Sequence, residues 1–306
     1  GLGLMRRNTY RHFWGWAPGA LRMVLEFAVK RGIEVDYARR LAAERIGVSI
    51  RDNGKAVDHL VFRTLGDFSI LHQGGVLLEA AALTPAQREL LCLLLTAPGL
   101  KMAQDSVQLH FWPDSSPSAA KVTFDTLVSR LRKTLAQALP QKAAPGYLLR
   151  DKGIIWLEHC RVDAHDFLDA VHRGLEHARM QEFWQAGNVF ARADALWRGD
   201  FAPGVTGEDQ VRGFRDVLVK ARCRMVLTWC GLLARQNRWQ EAMDLAEKGV
   251  RAAPLNDALW ALLYRVQGRQ SSIAARQVLA RFASLLRAED YPEDEIAEML
   301  RIIASS

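Results

Sequence analysis

The sequence predicts a multi-domain, mainly α chain, with a small α+β domain followed by an all-α helical-repeat domain. Three observations carry this. From Leu60 to Glu79 the apolar residues fall into short β-rich runs broken at Gly66-Asp67 and Gly74-Gly75. From Thr84 to Leu139 the spacing becomes helical three times over, and Tyr147 to Leu157 then returns to a hairpin pattern. From about Val162 onward the chain reads as α-helices in antiparallel pairs. At 306 residues it has room for about two domains.

Residues 20–45 read as two helices, with Gly32 ending the first and Asp36 helping to start the second. The first should bury Leu21, Val24, Leu25 and Ala28. A helical pair is too small for a domain and residue 1 is not Met, so residues 1–49 are expected to be the helical tail of an upstream region. Residues 50–59 are polar, contain Asn53-Gly54, and read as a linker.

The runs from Leu60 form a small antiparallel meander. Thr84-Pro85-Ala86-Gln87 then supplies an N-cap, a proline at the first helical position and a glutamine at N3, which is a capping box. The helix it opens is apolar over Leu90, Leu91, Leu93, Leu94 and Leu95 and should be largely buried until Pro98-Gly99 stops it. A second helix is expected over Gln104–Phe111. The third, 117–139, aligns Ala120, Phe124, Val128, Leu131, Leu135 and Leu139 along one side. Its remaining circumference carries Lys121, Thr123, Thr126, Ser129, Arg130, Arg132 and Lys133, with Asp125 the lone acid. Last comes a hairpin, with a turn at Arg150-Asp151-Lys152-Gly153 that puts two cations at its tip. Three helices followed by a hairpin is the order of a winged helix-turn-helix.

The formal charge of +7 is unevenly spread. Lys121 to Lys152 holds seven Lys/Arg against two acids, whereas Glu289 to Glu298 holds six acids in ten residues. Basic excess confined to one region points to a polyanionic partner. No apolar run reaches the roughly 18 residues of a membrane span, and the opening GLGLMRRNTYRHFWGW has no signal-peptide pattern. Cys92, Cys160, Cys223 and Cys230 lack metal-like spacing, and a reducing cytoplasm fits them best. No Walker A loop, G-x-G-x-x-G or H-E-x-x-H is present, so neither an enzyme nor a cofactor is expected. His159, Cys160, His165, His172 and His177 straddle a strand end and a helix, so no metal site is expected there either.

Several stretches carry family resemblances. Ser129-Arg130-Leu131-Arg132-Lys133-Thr134-Leu135, and Val107–Asp114, which resembles an L-x-x-x-W-P-D helix end, resemble the OmpR/PhoB-type DNA-binding domain over residues 60–160. Val162-Asp163 with Phe167, and Leu196-Trp197-Arg198-Gly199-Asp200-Phe201-Ala202-Pro203-Gly204, resemble the bacterial transcriptional activator domain over 161–306. Within that span Trp239-Gln240-Glu241-Ala242 with Pro254-Leu255 looks like a tetratricopeptide repeat, and Ala242 has a counterpart in Ala275. The pairing is that of SARP-type regulators. GIEVDYARRL is similar to the end of the helical-repeat region in large MalT-like regulators.

The resemblance implies a sequence-specific transcription regulator, an activator, whose third helix enters the major groove of double-stranded DNA. Thr123, Thr126 and Arg130 are then the base-reading candidates. Lys121, Ser129, Arg132 and Lys133 would hold phosphates, and Trp112 would either donate its indole N–H to a phosphate or fill the core. Arg150 and Lys152 would enter the adjacent minor groove or grip its backbone, against the plainer alternative of a solvated turn. Asp125 would accept from a cytosine amine or pair with Arg132 or Lys121. Trp184, Trp197, Trp229, Trp239 and Trp260 are expected in core packing. RNA polymerase, a homodimer, or tandem binding on direct repeats are further partners of the family. The competing expectation is a protein-interaction scaffold whose winged domain no longer binds DNA.

Overall fold

Why the chain folds as it does begins with its caps and seams. The computed structural model describes residues 2–8, 17–139, 146–205 and 209–305, so the opening stretch read above lies partly outside the described residues. The chain divides into two units. The first comprises Gly1–Arg63 and Phe68–Val162, the second Thr64–Asp67 and Asp163–Ser306.

In the first unit, helices α1 (Leu2–Arg7), α2 (Pro18–Lys30) and α3 (Val35–Ile46) precede a hairpin of β1 (Val48–Ile50) and β2 (Ala56–Asp58). Pro18 opens α2 at its first position, and α3 ends on Gly47 with φ 62°, a conformation that favours glycine. Leu21, Leu25, Ala28 and Val29 of α2 pack on Tyr37, Ala38 and Leu41 of α3 and on Val48 and Ile50. Two expectations are corrected here. Val24 is exposed, because the seam runs 21-25-28-29 and leaves it to one side. Residues 50–59 are no linker: they complete a hairpin whose inward side chains close the helical core, and Arg22 of α2 is ion-paired to Asp58 at 2.9 Å.

The meander follows as β3 (Leu60–Arg63), β4 (Ser69–His72) and β5 (Gly75–Glu79). With β9 (Cys160–Val162) it makes a four-stranded sheet ordered β5-β4-β3-β9, in which β9 runs parallel to β3. Helix α4 (Pro85–Thr96) carries both halves of the expected capping box, Thr84 Oγ1 accepting from Gln87 N and Gln87 Oε1 from Thr84 N. Leu90 to Leu95 are all buried, which makes α4 the central helix of the unit. A strand the sequence did not announce, β6 (Lys101–Ala103), joins a second sheet ordered β6-β8-β7 with β7 (Leu148–Asp151) and β8 (Ile154–Leu157). Between them lie α5 (Gln104–Phe111) and α6 (Pro117–Ala138).

The described residues of the second unit form helices α7 (Asp163–Arg179), α8 (Phe183–Leu196), α9 (Asp209–Arg235), α10 (Trp239–Ala252), α11 (Asp257–Gly268), α12 (Ser272–Ala288) and α13 (Glu293–Ser305). Neighbours in sequence pack on one another, as stacked helical pairs do. Helices α10 and α12 place Ala242 and Ala275 at equivalent buried positions. Gly174 lets α7 approach α8, since a Cβ there would collide with the buried Phe190 ring. Trp260 is buried and Trp197, Trp229 and Trp239 are half-buried, but Trp184 is 76% exposed, contrary to expectation. It falls outside the Ala186–Phe190–Ala193 seam of α8.

Asp163, 3% exposed, organises the start of this unit. Its Oδ1 accepts from Thr64 N at 2.7 Å and Thr64 Oγ1 at 2.6 Å, and its Oδ2 from Leu65 N at 3.3 Å and from the Arg198 guanidinium. Ala202 N donates to Thr64 O at 2.7 Å and Gly66 N to Asp200 O at 2.9 Å. The Leu196–Gly204 stretch is therefore a latch that holds residues 64–67 against the second unit.

Candidate nucleic-acid interface

Ser116 caps α6, accepting from Ala119 N, and Pro117 stands at its first position. Ala120, Phe124, Leu127, Val128, Leu131 and Leu135 are buried, so the seam is wider by Leu127 than the spacing alone indicated. Lys121, Thr123, Thr126, Ser129, Arg130, Arg132 and Lys133 are all exposed.

At 3.6 residues per turn these do not share a single ridge. Directly opposite the buried seam lie Val122, Thr126, Ser129 and Lys133, spaced four, three and four residues apart. Thr123 and Arg130 form one flank, and Lys121, Asp125 and Arg132 the other. Val122 is 67% exposed at the N-terminal end of that outermost ridge. Sequence reasoning missed it, although an apolar residue out of phase with the seam was the available signal. Thr123 Oγ1 donates to Ala119 O at 3.1 Å and Thr126 Oγ1 to Val122 O at 3.0 Å. Each hydroxyl proton is thus spent within the helix, and the methyl and oxygen lone pairs remain for a partner.

The Asp125 flank faces the hairpin. Asp125 is paired with Arg150, a partner not among those anticipated for it. Arg132 Nε donates to Leu148 O at 2.9 Å, so this cation also ties α6 to β7. Burial, and then the Arg150 charge, lower the Arg132 pKa from its ordinary value. The expected hairpin tip is corrected too. Arg150 and Asp151 lie inside β7, with Arg150 opposite Ile155, and the turn is Lys152-Gly153, both at positive φ (46° and 77°). That is the two-residue turn whose twist suits a hairpin, so only Lys152 stands at the tip, exposed. Trp112, which caps α5, is half-buried with its ring 5.3 Å from that of Phe111.

Among the described residues no group of three or more His, Cys, Asp or Glu could hold a metal ion, and no helix is long and apolar enough to cross a membrane.

The winged-helix arrangement of β6, α4 to α6 and β7–β8, followed by stacked helical pairs, is also found among known proteins. Residues 162–303 match the family model of the bacterial transcriptional activator domain. The chain is 26% identical over 213 residues to the transcriptional regulatory protein MoaR1 of Mycobacterium bovis, covering 62% of each chain. It is 28% identical over 254 residues to the regulatory protein AfsR of Streptomyces griseus, covering 79% of this chain and 24% of that one. Its fold resembles that of Mycobacterium tuberculosis EmbR, solved in complex with a low affinity phosphopeptide. There the TM-score is 0.59 at 22% identity, with 81% of this chain and 65% of that one covered. The chain thus spans about three fifths of the length of MoaR1.

Proposed function

We propose that this chain is a sequence-specific, DNA-binding transcription regulator, an activator, working in the cytoplasm without a cofactor or an enzymatic step. The observation that carries the reading is α6: a helix anchored by six buried side chains, with every one of its cations exposed. A helix of this diameter fits the major groove of B-DNA. The N-terminal half of its outermost ridge would meet the base edges, with Val122 and Thr126 offering methyl groups to thymine. Arg130 and Thr123 reach in from one flank, and Arg130 carries the main discrimination if it is bidentate to guanine, about 1–3 kcal/mol. Lys121, Ser129, Arg132 and Lys133 hold phosphates, with Trp112 at the end of the preceding helix. Lys152 and Arg150 serve the adjacent minor groove or its backbone. The helical-repeat unit mediates self-association or contact with RNA polymerase, in keeping with the activator-domain match.

Selection of bound fragments from a random-duplex pool tests this. An enriched motif whose affinity falls steeply with salt supports it, with a log–log slope near −0.9 per neutralised phosphate. Arg130→Ala should flatten the motif, while Lys133→Ala should weaken all sequences alike. No enrichment and no salt-dependent binding would leave the protein-interaction scaffold as the better account.

A further inference from the structure

The helical unit contains a guanidinium with more donors than acceptors. Arg222, on α9, is 4% exposed. Its Nη2 donates to Asp194 Oδ1 at 3.0 Å, yet its Nε and Nη1 are buried and meet no acceptor. One face of the group lies over the Trp197 ring, 4.9 Å from the centroid. That contact favours the charge but leaves the in-plane N–H groups unsatisfied. Buried donors without acceptors are rare, and burial lowers the Arg222 pKa from its ordinary value.

Arg222 also forms part of the wall of a cavity of about 400 Å³. Four cations line it, Arg198, Arg222, Lys248 and Arg251, against two carboxylates, Asp194 and Asp200. Asp194 is already spent, since its Oδ2 accepts from Lys248 Nζ at 2.9 Å. Arg198 leans on Asp163, and Arg251 stands exposed at the rim. With Asp163 counted against Arg198, four cations stand against three carboxylates, which leaves one positive charge in excess and two orphaned Arg222 donors.

We propose that this cavity binds a phosphoryl dianion, either free phosphate or the phosphate of a small nucleotide. Its negative charge compensates that excess. Its tetrahedral oxygens can accept from two guanidinium groups and an ammonium at once, which a carboxylate with two oxygens does less fully. Arg251 and Lys248 make the outer contacts, and a rotamer adjustment turns the orphaned Arg222 N–H groups onto the ligand. The volume exceeds what phosphate needs and leaves room for an attached group. The inference is independent of DNA binding by α6.

Titration calorimetry of the full chain, first with inorganic phosphate and then with adenosine monophosphate at constant ionic strength, tests it. Saturable binding is expected, weakened about tenfold or more by Arg251→Gln, which removes one charge-assisted contact. Arg222→Lys should weaken it at least as much. If that buried change prevents folding, Lys248→Gln on the exposed side takes its place. Tighter binding of the nucleotide identifies it as the source, and equal or stronger binding of phosphate identifies the free ion. The absence of saturable heat with both probes, or affinities unchanged in Arg251→Gln and Lys248→Gln, would overturn the proposal.

Discussion

The carboxylate of Asp125 on α6 is held by the guanidinium of Arg150 on β7, joining helix and hairpin across 25 residues of sequence. The partners are about 38% and 36% exposed, so the pair contributes under about 1 kcal/mol to stability. Its larger effect is on charge: it neutralises a cation that phosphates would otherwise attract. Asp125→Asn should therefore leave unfolding unchanged within about 1 kcal/mol, yet strengthen duplex binding and steepen its salt slope by about one phosphate. Fluorescence anisotropy across a salt series measures both. Unchanged affinity and slope would show that Arg150 takes no part in binding.

Local chemistry made much of this legible in advance. The Thr84–Gln87 capping box, the Gly66 and Gly74 breaks, and the α6 seam each act within a few residues, and a sequence displays them directly. What depends on distant pairing stayed hidden. Strand β6 is three residues long and becomes a strand only beside β8. Asn53-Gly54 marks a turn equally well in a linker or a hairpin, and only the packing of Val48 and Ile50 decides. On α6 the candidate residues were recognisable by type, but their division into ridge and flanks needed the wider seam that Leu127 creates. Arg222 looked like any other helical arginine, because its missing acceptors are a property of the folded surroundings.

Val122 offers a separate test of how α6 is oriented. At 67% exposure its truncation removes little buried surface, so Val122→Ala should alter stability by no more than about 0.5 kcal/mol. If the outermost ridge meets the bases, the same change should lower preference at one thymine position several-fold while leaving other positions intact. Competition between motif variants, read out by gel shift, reports this. A uniform loss across all positions would assign Val122 to general contact and turn the flank of Arg130 toward the bases.

Asp163 is expected to be the most damaging single site in the helical unit. Asp163→Ala removes the acceptor of two backbone N–H groups and one hydroxyl, and deprives Arg198 of its partner. Arg198 is 39% exposed and regains solvation, so the cost comes chiefly from the buried donors left unpaired, about 1–3 kcal/mol each. Asp163→Asn keeps the shape and one acceptor oxygen and should cost visibly less. Urea unfolding of the two variants ranks them, and equal losses would mean that the carboxylate charge dominates over the hydrogen bonds.

The last expectation concerns acid. His59 is 8% exposed, and its Nε2 lies 2.8 Å from Ser49 Oγ on the neighbouring β1 strand, while Nδ1 has no partner. Burial, then the nearby charges of His159 and Arg161, pull its pKa from 6.5 to about 4, with Asp58 opposing. Between those values the unfolded chain binds the proton and the folded one does not, so stability rises with pH across this window. The contribution is fully present above about pH 6.5 and fades as pH falls towards 4, by roughly 3 kcal/mol in all. His59→Gln removes the titrating group. Denaturant unfolding between pH 4.5 and 7.5 should show a flatter acid limb for the variant, with a residual slope from His159, whose pKa burial also lowers. Identical slopes for variant and parent would mean that His59 is charged in the folded protein and that its pocket admits water.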